Sequence, residues 1–415
     1  MEAPARTSNT PSILQLILGI MSFCLALLVA LGLAIVAAAS QQVEDGIVRT
    51  LHYASWLSLA LAGLTIPSII FAIRRLAHKE EKPQKAPTLL IATLLLVCLV
   101  PLGWLASRPA FEQLPSIVWT FSSFLFIVVP AWWFIEIGRA GLRRFSRQRA
   151  WGMLNVSVFV SQPIILLVEL IVLLIGAALL IGWLMQEPQY AELFSQAQNL
   201  MYVNPDTFPL ILDQLYPLVQ NPGIIAAVMV VIALVVPLIE ELLKPLALWF
   251  FIKKRWSPRE GFVAGLMCGG AFAVVESLTA LASSGPSSLV LVIARSGTAL
   301  LHITTAGLSG WALTSTWRDG KVLRVGGIYL LTVLMHGIWN FLAVSTGIGS
   351  LATENMLVFF ASLAPIAPWI MGGMALLFLG SLILMNLRLR VTAAAVPPPP
   401  LPPPFEPLTE NGNHL

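Results

Sequence analysis

Charged residues are scarce in this sequence, at 11% of 415 residues against about 25% in soluble domains. Apolar runs take their place, and several exceed the roughly 20 residues that a helix needs to cross a hydrocarbon core about 30 Å thick. The composition excludes an ordinary soluble enzyme or binding module. It predicts an integral, multi-pass membrane protein.

Cysteine is also scarce, and two further patterns are absent. The three cysteines, Cys24, Cys98 and Cys268, lie in apolar runs and are too few for a disulfide framework or a cysteine-based zinc site. No series of segments of about ten residues alternates in polarity, which excludes a transmembrane β-barrel. The HExxH motif of ordinary zinc proteases is missing. The formal net charge of +4 gives no indication of nucleic-acid binding, because in a membrane protein it mainly reports orientation.

Ten apolar segments predict an all-α polytopic membrane protein with about ten transmembrane helices. Loops rich in Lys and Arg alternate strictly with loops that hold few or none, so both termini are expected to be cytoplasmic. The first span is expected to be retained, since its apolar run is about twice the length found in a signal peptide. The predicted spans are 12–39, 54–73, 87–106, 115–137, 153–185, 222–252, 261–283, 287–316, 326–346 and 356–386.

These spans divide the chain into three regions. Residues 1–150 are predicted to form an N-terminal membrane region of four helices, and residues 151–390 a second membrane region that carries the unusual polar residues. The proline-rich residues 391–415 are expected to be a disordered cytoplasmic tail, because such sequences stay extended and solvated.

Ionisable residues accumulate in spans six to nine. Insertion scales give a cost of about 2.5–3.5 kcal/mol for such a group at the bilayer centre, so each is a functional candidate. Counting 1.5 Å per residue from the nearest cytoplasmic charge places two glutamates and two histidines at a similar depth, about 18–26 Å from those charges. Four helices are therefore expected to bring their polar groups into one layer. The residues are Glu240, Glu241, Lys244, Glu276, Arg295, His302 and His336.

The segment EELLKP at 240–245 combines an ion pair with a helix break. Glu240 and Lys244 are four residues apart and are expected to pair on one helix face, while Glu241 points about 100° away. Pro245 and the earlier Pro237 each leave a backbone carbonyl without its helical partner. Such backbone is tolerated at membrane depth where it lines a polar cavity or packs on protein. A kinked, hydrated site with an available Glu241 is the prediction.

Two hydrolytic chemistries fit these side chains. In one, a glutamate acts as general base on water while the histidines stabilise the oxyanion or protonate the leaving group. In the other, His302, His336 and a carboxylate bind a divalent metal such as zinc and leave a position for water. A proton-coupled transporter with a Glu and His relay is the alternative class. Confinement of the polar residues to one half of the chain favours the enzyme.

Two other glutamates lie in predicted spans. Glu136 is beside Arg139 at the end of a span and is expected at the membrane interface. Glu169 stands alone in ILLVELIVLL, where it either lines a functional cavity or makes a structural hydrogen bond.

Four motifs resemble those of the PrsW family of intramembrane proteases, distant relatives of the CAAX-prenyl endopeptidases. They are EELLK (240–244), FAVVE (272–276), HITTAGLSG (302–310) and HGIWN (336–340), one on each of four consecutive spans. The resemblance implies that residues 151–390 are the intramembrane protease domain. It also implies that the catalytic residues are Glu240, Glu241, Glu276, His302 and His336. Spans one to four are not explained by it.

Supporting roles and the need for a metal stay open at this level. Asn340, one turn after His336, would orient that histidine, bind a substrate carbonyl or make a packing hydrogen bond. Arg295 would be an anchor at the membrane interface, which we favour, or the partner of a site carboxylate. If zinc is bound, the ligands would be His302, His336 and Glu276. We favour the metal-free mechanism, since Lys244 already compensates one carboxylate and a buried glutamate can act alone.

The expected substrate is a membrane protein whose backbone is unwound within the lipid bilayer, because a site at this depth cannot reach a folded soluble protein. The resemblance suggests regulatory proteolysis of an anti-sigma-like protein in a prokaryotic plasma membrane. No nucleic-acid partner is expected.

Overall fold

The computed structural model describes residues 9–40, 45–79, 88–108, 114–142, 145–193, 195, 221–250, 256–284, 289–349 and 355–394. Within them every regular element is a helix, so the predicted all-α class is confirmed. Nine helices among these residues are long and apolar enough to cross a membrane, and the chain is a polytopic membrane protein. The predicted tail from 395 onward lies outside the described residues.

Each predicted span has a helix at its position. The eighth, α8, is 31 residues long but is not one of the nine. The helices are α1 (Thr10–Ala39), α2 (Asp45–Leu76), α3 (Thr88–Ala106), α4 (Ser116–Arg139), α5 (Arg147–Leu184), α6 (Pro222–Trp249), α7 (Pro258–Ser284), α8 (Leu289–Asp319), α9 (Val322–Gly349), α10 (Asn355–Leu363) and α11 (Ala367–Ala394).

The last predicted span is divided in the structure. A turn at 364–366 separates α10 from α11. Pro365 cannot continue the first helix, and Pro368 suits the first turn of the second, where its missing N–H needs no helical partner. Helix α11 then continues through Ala394, beyond the predicted start of the tail at 391.

Helix α6 bends where the sequence predicts freed carbonyls. A π-helical segment at Val231–Val235 precedes Pro237, and a regular α-helical segment follows from Val236 to Leu243. The chain then turns at Lys244 and Pro245 before a last short helical segment, Leu246–Trp249. Interruptions of this kind concentrate at functional sites because they aim side chains and backbone groups into a cavity.

Helix α7 lies at the centre of the molecule and α5 at its edge. In the most apolar window of α7, 89% of residues are buried, against 6% in that of α5. Large apolar side chains such as Leu167, Leu174 and Leu179 cover the outside of α5, as expected for a surface that faces lipid tails. The centre is therefore the place to look for polar residues that lipid cannot solvate.

Small residues bring α7 and α8 unusually close together. A Cβ on Gly265 would lie 2.0 Å from the carbonyl oxygen of Ala306, and one on Gly269 would lie 2.2 Å from that of His302. Only glycine allows such an approach, in which Cα–H groups face carbonyl oxygens across the helix pair. This contact fixes the height of His302 against α7.

Glu136 is buried in the packing between α3 and α4, and its predicted position at the membrane interface stays a prediction. Its carboxylate accepts hydrogen bonds from Thr88 Oγ1 and Trp132 Nε1, each at 2.8 Å, and pairs with Arg139. The side chain is 1% exposed. The first turn of α3 covers the end of α4 here, and a count of residues along α4 alone does not show that cover.

Candidate active site

Four consecutive helices bring the predicted site residues together. Helix α6 provides Glu240, Glu241 and Lys244, while α7, α8 and α9 provide one residue each of Glu276, His302 and His336. The seam between α7 and α8 and the bend in α6 place these side chains in hydrogen-bonding or ion-pair contact. All are buried except Glu276, whose side chain is 31% exposed.

Lys244 is the centre of this cluster. Its Nζ is 2.7 Å from Glu241 Oε1, 3.0 Å from Glu240 Oε2 and 2.8 Å from His302 Nδ1. The prediction that Lys244 pairs with Glu240 alone, and leaves Glu241 free, is wrong. Residues three and four apart both lie near the same helix face, and the long lysine side chain reaches both carboxylates where the helix ends.

Glu241 is held on one carboxylate oxygen and unpaired on the other. Oε1 accepts hydrogen bonds from Lys244 Nζ, from His336 Nδ1 at 3.0 Å and from Thr305 Oγ1 at 3.3 Å. Oε2 is buried and has no hydrogen-bond partner among the described residues, and Glu240 Oε2 has the ion pair with Lys244 at 3.0 Å as its contact there. Buried carboxylate oxygens are normally satisfied, so the unpaired oxygen leaves an acceptor for water or an ion.

Glu276 orients His302 and pairs with an arginine. Its Oε2 is 2.7 Å from His302 Nε2 and 2.9 Å from Arg295 Nη2. Arg295 therefore makes the ion pair with a site carboxylate, and not the interfacial anchor that the sequence analysis favoured. The ammonium of Lys244 can only donate, so His302 Nδ1 must be the ring nitrogen that carries the lone pair. The ring proton is therefore on Nε2, which donates to Glu276.

Asn340 binds the bend in α6 and makes no hydrogen bond with His336. Its Nδ2 donates to the carbonyl oxygen of Ile232 at 3.1 Å, within the π-helical segment. One turn earlier, a Cβ on Gly337 would lie 2.3 Å from the carbonyl oxygen of Ala233, which also belongs to the π-helical segment. Of the three predicted roles for Asn340, the packing hydrogen bond is the one present.

Two residues near the site received no site role from the sequence, and the role of a third, Glu169, was left open. Thr305 donates to Glu241 and stands one turn after His302, a spacing that could have identified it. Phe272 places its ring 4.4 Å from Lys244 Nζ and edge-on to His302. Glu169 of α5 lies next to the Glu240 carboxylate, and within the described ranges its buried Oε1 has no hydrogen-bond partner.

One group of side chains could hold a metal ion among the described residues. Ligand atoms of Glu240, His302 and His336 all lie within 4.8 Å of one another. Glu276 is not a member of this group, because its carboxylate is bound to His302 Nε2 and Arg295. Two imidazoles and a carboxylate are the donor types of catalytic zinc sites.

The charges of the cluster also fit a divalent cation. Four carboxylates, those of Glu169, Glu240, Glu241 and Glu276, face the two cations Lys244 and Arg295. With all of them ionised, the cluster carries an excess of two negative charges, which is costly to bury without compensation. A divalent metal or protons would remove that excess, so the residues present fit a metal.

Residues 162–367 match the sequence model of a family described as PrsW family intramembrane metalloprotease. The match includes every residue of the cluster. In parallel comparisons, no curated protein and no solved structure matches the chain.

Proposed function

We propose that this chain, which belongs to the PrsW family of intramembrane metalloproteases, is a peptidase that uses Glu241 as general base to cleave membrane-embedded protein substrates. The family match supports peptide-bond hydrolysis and disfavours the transporter alternative. We assign the proteolytic domain to residues 151–390, the catalytic roles to Glu240, Glu241, His302 and His336, and a positioning role to Glu276, which the sequence had placed with the catalytic residues.

The observation that carries the proposal is the asymmetric environment of the Glu241 carboxylate. Three donors hold Oε1, and Oε2 is buried with no hydrogen-bond partner in the part of the chain that the structure describes. A general base needs a fixed position and one oxygen with a free lone pair directed at water. The fixed Oε1 and the unpaired Oε2 of Glu241 support this role, which is the one that the sequence predicted, although Lys244 contacts both glutamates.

The reaction then proceeds at the free oxygen of Glu241. Oε2 takes a proton from a water molecule, and the water oxygen forms a bond with the scissile carbonyl carbon. The positive charge of Lys244, beside Glu241, stabilises the developing oxyanion. The C–N bond breaks as Glu241 returns the proton to the leaving amine. His336, which donates from Nδ1 to Glu241, keeps the carboxylate oriented during both proton transfers.

A metal has a defined place in this scheme. Glu240, His302 and His336 would hold it, and a divalent ion bound there would supply a Lewis acid. Glu276 acts as a positioning residue, since it fixes the ring of His302 and assigns its tautomer, as carboxylates do behind metal-binding histidines.

The substrate class follows from the burial of the site. Side chains of Glu241 and His302 are 0% exposed, so a folded soluble protein cannot reach them. A membrane-inserted segment can reach them where it is locally unwound, because its backbone is then open to hydrolysis. Regulatory membrane proteins of the anti-sigma type, expected from the family resemblance, are one candidate group.

The test is a comparison of membrane proteomes from cells that produce the wild-type chain or Glu241→Gln. We expect membrane proteins that are cleaved only in the presence of the wild type, and a loss of about 10³-fold in the cleavage rate of the purified substrate with Glu241→Gln. Full cleavage by a folded Glu241→Gln protein would refute the role of Glu241. Cleavage of soluble proteins alone would refute the substrate class.

A further inference from the structure

The ammonium of Lys244 lies among all three candidate metal ligands. Its Nζ is 2.8 Å from His302 Nδ1, 3.0 Å from Glu240 Oε2 and 3.5 Å from His336 Nδ1. The lysine side chain is 0% exposed, so water does not screen its charge. A divalent ion bound to the same three residues would meet this ammonium at very short range, where like charges repel strongly.

We propose that Lys244 is a built-in cation that competes with a divalent metal for this position, so that metal enters only as the ammonium withdraws. The inference concerns the same site as the proposed function and rests on it for the donor set. It does not depend on the proteolytic reaction.

Contacts outside the donor set would retain the ammonium after it withdraws. The closest acceptor of Lys244 Nζ is Glu241 Oε1, at 2.7 Å, and the ring centroid of Phe272 is 4.4 Å from the same atom. Neither residue belongs to the metal-binding group. A cation can therefore leave Glu240 and the histidines while it keeps a carboxylate and an aromatic face as partners.

The size of the site agrees with an ammonium as its occupant. Hydrogen bonds to an ammonium are about 2.8 Å long, whereas zinc binds nitrogen and oxygen at about 2.0–2.2 Å. The contacts of Nζ with His302 Nδ1 at 2.8 Å and with Glu240 Oε2 at 3.0 Å match the first range, whereas His336 Nδ1 is farther away, at 3.5 Å. Exchange for zinc would draw the ligand atoms closer together, and these atoms belong to three helices, α6, α8 and α9.

The experiment measures zinc affinity directly on the full-length protein in detergent, by competition with a chromophoric chelator. Lys244→Met removes the ammonium and keeps a linear side chain, and we expect it to bind zinc at least about tenfold more tightly than wild type. Lys244→Arg keeps a cation and should bind no more tightly than wild type. Arg295→Met removes a nearby cation that pairs with Glu276 outside the donor set, and should change affinity less than about threefold.

Equal or weaker zinc binding by folded Lys244→Met would overturn the proposal, as would the absence of zinc binding from every folded variant. If Lys244→Met does not fold, Phe272→Leu provides the second test, because it removes only the aromatic partner of the ammonium. It should weaken zinc binding about threefold, because the withdrawn ammonium loses one of its two remaining partners, and an unchanged or tighter affinity would contradict the competition. Zinc binding as expected without cleavage of any membrane protein would instead refute the proposed function.

Discussion

Two buried carboxylate clusters in this protein are satisfied to very different degrees. Both oxygens of Glu136 accept hydrogen bonds, from Thr88, Trp132 and Arg139. In the central cluster, Glu241 Oε2 has no hydrogen-bond partner among the described residues, although Lys244 and His336 lie within 4 Å of the carboxylates of both Glu240 and Glu241. Neighbouring side chains satisfy the carboxylate of the first cluster, whereas the second leaves a carboxylate oxygen unpaired among the described residues.

The comparison shows how to distinguish a structural carboxylate from a functional one at membrane depth. Both are costly to bury, so burial alone does not separate them. The separating feature is the number of free acceptor positions, since a structural group is stable only when its neighbours satisfy it. Substitutions in the two clusters should therefore affect different properties.

The largest expected effect is on activity, from Glu240→Gln. An amide keeps the volume of Glu240 but loses the negative charge that faces His302 and His336, so we expect cleavage to fall by about 10³-fold, or roughly 4 kcal/mol in activation free energy. The free energy of unfolding should change far less, because the variant also lowers the excess of buried negative charge. Cleavage kinetics and denaturant unfolding in mixed micelles measure the two. A stability loss as large as the activity loss would show that Glu240 is a structural carboxylate, as Glu136 is.

Glu136→Gln should show the reverse pattern. Removal of its charge leaves Arg139 without its buried partner, and breaking such a pair costs about 3 kcal/mol of stability. The folded fraction should keep the wild-type cleavage rate per molecule, because Glu136 makes no contact with the central cluster in the described residues. Unfolding curves, with activity normalised to folded protein, test this. A large change in the rate constant itself would contradict the structural assignment.

The convergence of the site was predictable because each of four spans carries a polar residue at a similar depth. The partners within the site were not. Lys244 was assigned to Glu240 from helical spacing, but a lysine side chain also reaches the residue three positions away, and the end of the helix at Leu243 gives it that freedom. Arg295 was expected to anchor α8, because the sequence does not show that Glu276 lies across the seam from it.

The backbone contacts were less predictable still. Freed carbonyls follow from Pro237, but the π-helical segment that also frees Ile232 has no signature in the sequence, so Asn340 could not be matched with it. The close seam had a readable signal in the spacing of Gly261, Gly265 and Gly269, four residues apart on α7. That pattern is typical of small-residue contacts between membrane helices.

Gly265→Ala tests whether the close contact between α7 and α8 supports the central cluster. An added Cβ would lie 2.0 Å from the carbonyl oxygen of Ala306, so α7 and α8 must separate. We expect about 2 kcal/mol of lost stability, within the range for overpacked cores, together with reduced activity, because His302 moves away from Glu276. Gly326→Ala on α9 is the matched control, since nothing lies within 4 Å of its added Cβ. Equal effects of the two variants would show that the close contact between α7 and α8 does not support the central cluster.

The smallest expected effect is that of Asn340→Leu, which separates the bend of α6 from the chemistry of the cluster. Leucine keeps most of the volume but leaves the carbonyl oxygen of Ile232 without its donor, and single hydrogen bonds between membrane helices contribute about 1 kcal/mol. We expect a stability loss of that size and a cleavage rate reduced less than about tenfold, because Glu241 and His336 keep their mutual contact. Asn340→Gln, which can still donate to a carbonyl, should recover part of the stability. If Asn340→Leu lowered activity as much as Glu240→Gln without any loss of stability, Asn340 would bind substrate, and the packing role would be wrong.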